Sequence, residues 1–600
     1  MRATLMWTVN DFPAYSMLSR WSTQGKLACP VCMDGNKAFT LKNGGKNSWF
    51  DSHHRFLPHN QAFRKSKNGF TKDKVVKDDP PPILTGEEIF CWVHNFPRVV
   101  NGPVSKLPGY GDRHNWIKRS IFWDLPYWKD NLLRHNLDVM HIEKKLFDNV
   151  FNTVMKVKKK TKDNDKARRD LAIICQHSDL ELIEHDNGKT TKPKANYCFS
   201  SNEAKKVCEW IKELKMLGMK NHDCHVFMEC LLPFAFSSLP DFVWKPLTEL
   251  SQFFKGLCSN TLREDELIKL GENIPFIICK LERIFPPVFF NSMEHLPVHL
   301  PYEAKLGGPI QYRWMYPFER MMGDYKHTVK NKARVENISQ RNEAARLNDV
   351  VTTTLSISNQ LGRPSGKPQT HWLSDVEKRY AHVHILINCN EVKPYIDAFL
   401  HYNSINEEDP ASQARIHGES PEWFRAYATN EANGVTDPNL ISLAWGPESK
   451  GFTRGGEDDF YGVIQHIFEL QYHKFPHKIA LFYCRWFDPR QNRGTKVHPH
   501  YDIVDIKMNR KYDLYDPFII AQKARQVYYV PYPEMRRDKC GWCAVIQTKP
   551  RGRVEVDDVD ENIPYQNEDM THVEQLNEIE EMDGLHDETN TDEEADLMST

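Results

Sequence analysis

The sequence predicts a mixed α/β region that gives way to an α-rich one, followed by a small all-β domain and a disordered acidic tail. Three observations predict it. Apolar residues recur at three- and four-residue spacing from Leu132 to Arg169 and again between residues 201 and 290. From Phe460 to Thr548, aromatic and β-branched runs alternate with Pro, Gly, Asn and Asp turns. From Glu555 to Thr600 there are 18 acidic residues and no Lys or Arg.

Residues 1–200 open on a strand-like stretch, Leu5–Asn10, closed by Asp11-Phe12-Pro13. Up to about residue 130, short apolar runs alternate with Pro, Gly and Lys clusters, as in Lys65–Pro82 where three prolines end a charged loop, so this part reads as loop-rich. Leu133, Leu137, Met140, Leu146, Val150 and Met155 then mark the first strong helix. Residues 201–335 read as an α-rich region, with a helix over Ser201–Met216 and apolar patterns at His225–Met228, Leu231–Phe236 and Leu267–Ile284. Residues 336–402 read as a linker and then a helical segment from Trp372 to Tyr402, and residues 403–456 as a second linker. Residues 457–552 hold five strand candidates, Phe460–Tyr472, Ile479–Phe487, Tyr501–Ile506, Gln526–Pro531 and Trp542–Thr548, which predict a small barrel or curled sheet. Residues 553–600 have too few apolar side chains to offset the entropy of ordering. No fixed-period repeat argues for a solenoid.

Six hundred residues suffice for three or four domains. No run of about 18 apolar residues occurs, which excludes the membrane-spanning helical class. The first ten residues lack the basic and apolar regions of a secretory leader. The 14 cysteines, mostly single, therefore read as reduced thiols of cytosol or nucleus, with close pairs as metal candidates. The net charge of -2 conceals an asymmetry: all 79 basic residues lie in residues 1–554, against 63 acidic ones there. A basic body suits a phosphate-bearing partner, and it equally suits plain solubility.

Several clusters have the residue types that chemistry needs. Asp11 follows a strand, where a carboxylate can hold Mg²⁺ or simply cap the next turn. Cys29-Pro-Val-Cys32 has the spacing of two thiolates on one Zn²⁺, and it needs a second pair. His295-Leu-Pro-Val-His299 resembles the His half of such a site, although Pro297 argues for a turn there; ordinary loop roles remain open for both pairs. Glu319, in an aromatic segment between Arg313 and Arg320, is either a metal ligand among phosphate-binding arginines or an exposed helix glutamate. Asp138 and His141, three apart on the first strong helix, share a face and can line a site, cap the helix or touch the core. Lys156, Lys158, Lys159 and Lys160, with Arg168 and Arg169, have the spacing of a bipartite nuclear import signal or a phosphate-binding helix, against a reading as solvated charge. Cys540 and Cys543 have no partner pair and read as structural.

Taken together, Trp7–Tyr15, Gly25–Cys32, Leu107–Gly111, Asn131–Lys144 and Tyr312–Arg320 resemble the transposases of plant CACTA (En/Spm) DNA transposons. The resemblance runs nearly end to end: residues 1 to about 200 with the transposase core, about 225–335 with an α-rich region, and about 457–552 with a C-terminal β domain. It implies an RNase H-like core with a DDE acid triad, a helical insertion before the last acid, and cut-and-paste chemistry on DNA terminal repeats with Mg²⁺ or Mn²⁺. Carried over by motif, Asp11 is the second acid and Glu319 the last, and Asp138 and His141 form the acid-x-x-His element. The family is distantly similar to the catalytic subunit of the V(D)J recombinase, where a C-x-x-C follows the second acid and a His pair precedes the last. Here Cys29 comes 18 residues after Asp11, and Glu319 comes 20 after His299. The resemblance thus implies a structural Zn²⁺ on Cys29, Cys32, His295 and His299.

The family's first acid belongs on a strand upstream of Asp11, and Lys145 stands where the family has Asn. The expectation is therefore an N-terminally truncated, transposase-derived nuclear protein that binds DNA and zinc, is able to self-associate, and is catalytically silent. The alternatives are an active metal-dependent transposase, if the frame extends upstream, and a domesticated DNA-binding or scaffold factor.

Overall fold

A computed structural model describes residues 4–322, 375–446 and 461–547, apart from 68–69, 100–106, 187–188, 215, 217–218, 220, 316, 320, 404–409, 471, 473–478, 513–517 and 534–536. These residues fall into two compact units, one within Met1–Gln340 and the other within Arg341–Tyr532 and Arg537–Asp558. The stretches read as separate core and α-rich regions thus share one unit. Arg320 and the acidic tail lie outside the described residues.

The first unit begins with β1 (Thr8–Asn10), then two short antiparallel strands, β2 (Phe39–Thr40) and β3 (Asn47–Ser48). β4 (His135–Leu137) pairs parallel with β1 in the register Thr8↔His135, Val9↔Asn136 and Asn10↔Leu137. The residues from 132, read as helix, therefore enter a strand first, and the helix runs from Val139 to Val154. It forms because Val139, Met140, Ile142, Leu146, Phe147, Val150 and Val154 lie on one buried stripe and Asp138 caps its start. β5 (Ile183–Glu184) and β6 (Thr190–Thr191) make an exposed ribbon. Helices Ser201–Glu213, Asp241–Leu257 and Glu264–Glu282 follow, as the periodicity predicts, with a π-helical turn at Phe227–Leu231. The loop-rich part has a tryptophan core: Trp21, Trp116, Trp123 and Trp128 are buried with Ile89 and Val93, and Trp21 meets Trp116 edge-on at 4.7 Å.

The second unit contains helices Asp375–Asn388, Lys393–Tyr402, Pro410–Thr429 and Pro438–Trp445. The last two correct the reading of residues 403–456 as a linker: Ile416, Phe424, Ala428, Leu440 and Leu443 enter one core with strand residues Leu470, Ile479 and Leu481. Their apolar positions are sparse among polar neighbours, which hides the period. Its described residues form seven strands, β7 (Gly462–Leu470), β8 (Ile479–Trp486), β9 (Thr495–Val497), β10 (Val504–Lys507), β11 (Phe518–Ile520), β12 (Val527–Pro531) and β13 (Trp542–Gln547). They form two antiparallel sheets, ordered β11-β8-β7 and β12-β13-β10-β9. All five expected strands are present; β9 and β11, three residues each, carry too little pattern to be read.

Candidate metal and carboxylate centre

Two separate chain turns build a four-donor cluster in the first unit. In the first, Met33 adopts a left-handed φ of 48° and donates to the Cys29 carbonyl, turning Cys29 and Cys32 toward each other. In the second, the helix Ser292–His295 runs into a 3₁₀ turn, Leu296–Val298, and His299 precedes the helix Leu300–Gly307. Pro297 sits where a missing N–H costs nothing, and the turn it predicts brings both imidazoles to one side. Cys29 Sγ lies 3.4 Å from His299 Nε2; Cys32 Sγ lies 3.2 Å from His295 Nε2 and 3.3 Å from His299 Nε2; the two Nε2 atoms are 3.3 Å apart. A tetrahedral zinc with Zn–S of about 2.3 Å and Zn–N of about 2.0 Å puts its ligand atoms about 3.3–3.8 Å apart. The donor set fits that ion.

The electrostatics favour the same use. All four side chains are buried. Burial opposes a thiolate, yet the bond from Cys32 and the nearby imidazoles bring Cys29 well below the usual thiol range, while its bond to Cys29, and burial, hold Cys32 well above it. Burial lowers His295 to about 4, which keeps its ring neutral with a lone pair to give. Trp49 stacks on His295 and Phe56 meets His299 edge-on, fixing the rings.

A buried carboxylate hub stands behind this cluster. Glu282 accepts from the Asp51 backbone N–H (2.8 Å), from His53 Nδ1 (2.7 Å) and from His54 Nε2 (3.1 Å). The His53 ring lies 5.2 Å from that of His295. Burial raises Glu282, and His53 and His54 outweigh it, leaving the carboxyl at about 2. Sequence reading missed this hub. The run Asp51-Ser-His53-His54-Arg55 was the available signal, but Glu282 sits in an ordinary helical pattern.

Asp11 and Asp138 stand at the ends of β1 and β4, although among the described residues these two and Glu319 do not bring three donor atoms within 4.8 Å of one another. Asp11 and Asp138 each follow the last paired residue of their strand, and each caps a helix: Asp11 Oδ1 accepts from Ala14 N (2.8 Å), and Asp138 Oδ1 from Met140 N (3.3 Å). The Asp138 N–H donates to the Asn10 carbonyl at 3.0 Å, so the two acids sit side by side. The Asp138 carboxyl is raised to about 6, chiefly by burial, against hydrogen bonds from the Met315 and Met140 N–H groups and with help from Glu319 and Asp11. Glu319 is exposed on a helical turn, and its charge is felt at Asp138. His141 is lowered by burial and Lys145, with Asp11 acting the other way.

Two expected DNA contacts are structural instead. Arg168 is fully buried, holding Asp163 Oδ2 at 2.8 Å and the Leu180 carbonyl at 2.7 Å. Arg313 is buried as well, donating to Asn136 Oδ1 and, at 3.1 Å, to the Gly308 carbonyl. Neither guanidinium is available to a phosphate, because each already satisfies interior acceptors. Lys156, Lys158, Lys159, Lys160 and Arg169 are exposed, but the lysines occupy turns rather than a helix, with left-handed φ at Lys156 and Lys159. Two further donor groups exist among the described residues, His54/Cys279/Glu282 and Glu143/His225/Cys258.

Residues 1–96 match a family model described as transposase family tnp2, residues 257–358 match the domain of unknown function DUF4218, and residues 468–545 match the domain of unknown function DUF4216. No curated protein and no solved structure matches the chain. The chain is transposase-like. Among the described residues, no helix is long and apolar enough to cross a membrane.

Proposed function

We propose that this chain is a CACTA-type, transposase-derived nuclear protein that binds DNA and is braced by one structural zinc on Cys29, Cys32, His295 and His299. The observation that carries this is the donor cluster, assembled from positions 263 residues apart at tetrahedral distances, in a chain whose N-terminal segment matches a transposase family. The donor types are those of a closed Cys₂His₂ site. The basic first 554 residues supply the charge a DNA partner requires, and Lys158, Lys159 and Lys160 are exposed for it. The test is duplex binding by the full chain across salt, with zinc measured on the same sample. Strong salt dependence and one zinc per chain are expected; binding neither DNA nor zinc overturns the reading.

The side-by-side Asp11 and Asp138, coupled to Glu319, favour a second reading in which the chain belongs to a metal-dependent phosphoryl-transfer enzyme with an RNase H-like core. These oxygens would hold Mg²⁺ or Mn²⁺, which when bound supplies charge stabilisation for attack at a phosphate. The protein's part is to place the ligands: the parallel register fixes Asp11 against Asp138, and the Met315 N–H ties the segment bearing Glu319 to Asp138. Nicking of duplex DNA that requires Mn²⁺ and is lost in Asp138→Asn would establish this reading. DNA binding without cleavage would leave the silent, transposase-derived protein.

A further inference from the structure

The second unit carries a concentration of positive charge at one end of its four-stranded sheet. β9 and β10 pair so that Gly494, before β9, meets Lys507, at the end of β10, through a 2.8 Å bond from the Lys507 N–H to the Gly494 carbonyl. Two loops are locked together at this end. The Asp488 N–H donates to the Arg510 carbonyl at 3.1 Å, the Tyr512 N–H to the Trp486 carbonyl at 3.1 Å, and Phe487 bridges Lys511. A Cβ on Gly494 would lie 2.2 Å from the Asp488 carbonyl oxygen, so only glycine allows the loops to approach this closely.

Six cationic side chains project from this double loop and the strand ends beside it: Arg490, Arg493, Lys496, Lys507, Arg510 and Lys511. One buried acid serves them: Asp488 takes Arg490 through two bonds of 2.8 Å, and Arg493 lies at 3.6 Å. The Lys496 and Lys507 ammonium groups share the Trp542 ring, at 4.3 and 5.6 Å from its centroid. Among the described residues, no carboxylate forms an ion pair with Lys496, Lys507, Arg510 or Lys511. Of the nearby acids, Asp505 is engaged by Lys539 at 2.5 Å, and Asp502 lies in the turn at the opposite end of β9 and β10. Lys496 and Lys507, on one ring with no carboxylate partner among the described residues, repel one another, and a polyanion relieves that repulsion.

We propose that this loop pair is a binding site for the sugar–phosphate backbone of duplex DNA, separate from any contact made by the first unit. The proposal deepens the DNA-binding reading and rests on it. It assigns a role to the unit that contains the DUF4216 match. The contact is sequence-independent, because extended cationic heads on a fixed frame read phosphates rather than base edges.

The test uses the full chain with Arg493→Ala/Arg510→Ala/Lys511→Ala, titrated with duplex DNA from 50 to 300 mM salt. The salt dependence should become shallower by about 0.9 for each phosphate that the variant no longer neutralises, with affinity at 100 mM salt falling about tenfold or more on any sequence. Arg510→Ala/Lys511→Ala, which leaves the Asp488 cluster intact, should show the same trend at smaller size, so misfolding cannot imitate the result. Lys158→Ala/Lys159→Ala/Lys160→Ala probes the first unit in parallel. If that variant weakens binding while the loop variants match the unaltered chain, this site is overturned and the DNA-binding reading stands. If the unaltered chain binds no duplex, both fail. Loss of binding to polyglutamate with duplex binding unchanged would assign the loops to an acidic protein instead, and would also overturn the proposal.

Discussion

Replacing the two sulfurs, Cys29→Ser/Cys32→Ser, should remove the zinc and bring the first unit close to unfolding. The magnitude follows from where the ligands sit. Cys32 and His295 are 263 residues apart, so the ion closes a very long loop. The cross-link entropy formula gives about 5–6 kcal/mol for a loop of that length, a model-dependent figure. A whole domain is stable by about 5–15 kcal/mol, so the brace is a large part of the total. The assay is metal analysis together with thermal unfolding of the full chain, with and without a chelator. The unaltered chain should carry one zinc and lose its first transition to lower temperature when chelated. The variant should carry none, unfold at that lower temperature and ignore the chelator. Full zinc retained by the variant, or a transition in the unaltered chain that chelation leaves in place, would refute the four-ligand assignment.

Three other outcomes follow from the same geometry. Asp138→Asn should weaken Mn²⁺ binding by about tenfold or more in calorimetric titration, because it removes one of the charged oxygens that hard cations require; equal affinity would detach Asp138 from the centre. Glu282→Gln should destabilise the first unit by about 3 kcal/mol at pH 7, the worth of holding a carboxyl at about 2 rather than its ordinary 4.5. A depressed carboxyl stabilises above its unfolded value and loses that contribution as pH falls, so the gap between the two proteins in urea unfolding should be full at pH 7 and shrink between pH 4.5 and 2; a constant gap would show that the charge is not the cause. Gly494→Ala should cost about 1–3 kcal/mol in the second unit by forcing the loop off Asp488, and an unchanged unfolding midpoint would contradict the close approach seen there.

What the sequence revealed depended on how rare a residue type is and how far away its partner lies. Cys29, Cys32, His295 and His299 were legible because few other pairs offer soft donors at ligand spacing. Asp11 and Asp138 were each visible, but their adjacency was not: it comes from two three-residue strands pairing across more than a hundred residues, and strands that short carry no period. Arg168 and Arg313 were misread because a guanidinium near other basic residues looks the same whether it meets water or an interior carbonyl. The helices after residue 410 were missed because Ile416, Phe424 and Ala428 are spaced among charged and small residues, where the core they share with β8 decides the structure.

The four-donor cluster and the acids at the ends of β1 and β4 share their supports. His299 precedes the helix Leu300–Gly307, and one turn on, Glu303 accepts the N–H of Leu137, the last residue of β4, at 3.2 Å. At the far end of that helix the Gly308 carbonyl holds Arg313, whose other contact is Asn136 of β4; Asn136 in turn donates to the Arg313 carbonyl at 2.9 Å. Both bonds grip β4 immediately before Asp138, whereas Asp11 lies on the chain that leads to Cys29. An ion held by these four donors would therefore join the two strands' supports from behind: one half of the donor set follows β1, and the other half begins the helix that clamps β4. Removing it would release Asp138 from Asp11 without touching either acid, so any divalent-cation affinity of the carboxylates should fall with the zinc, even though no ligand is shared.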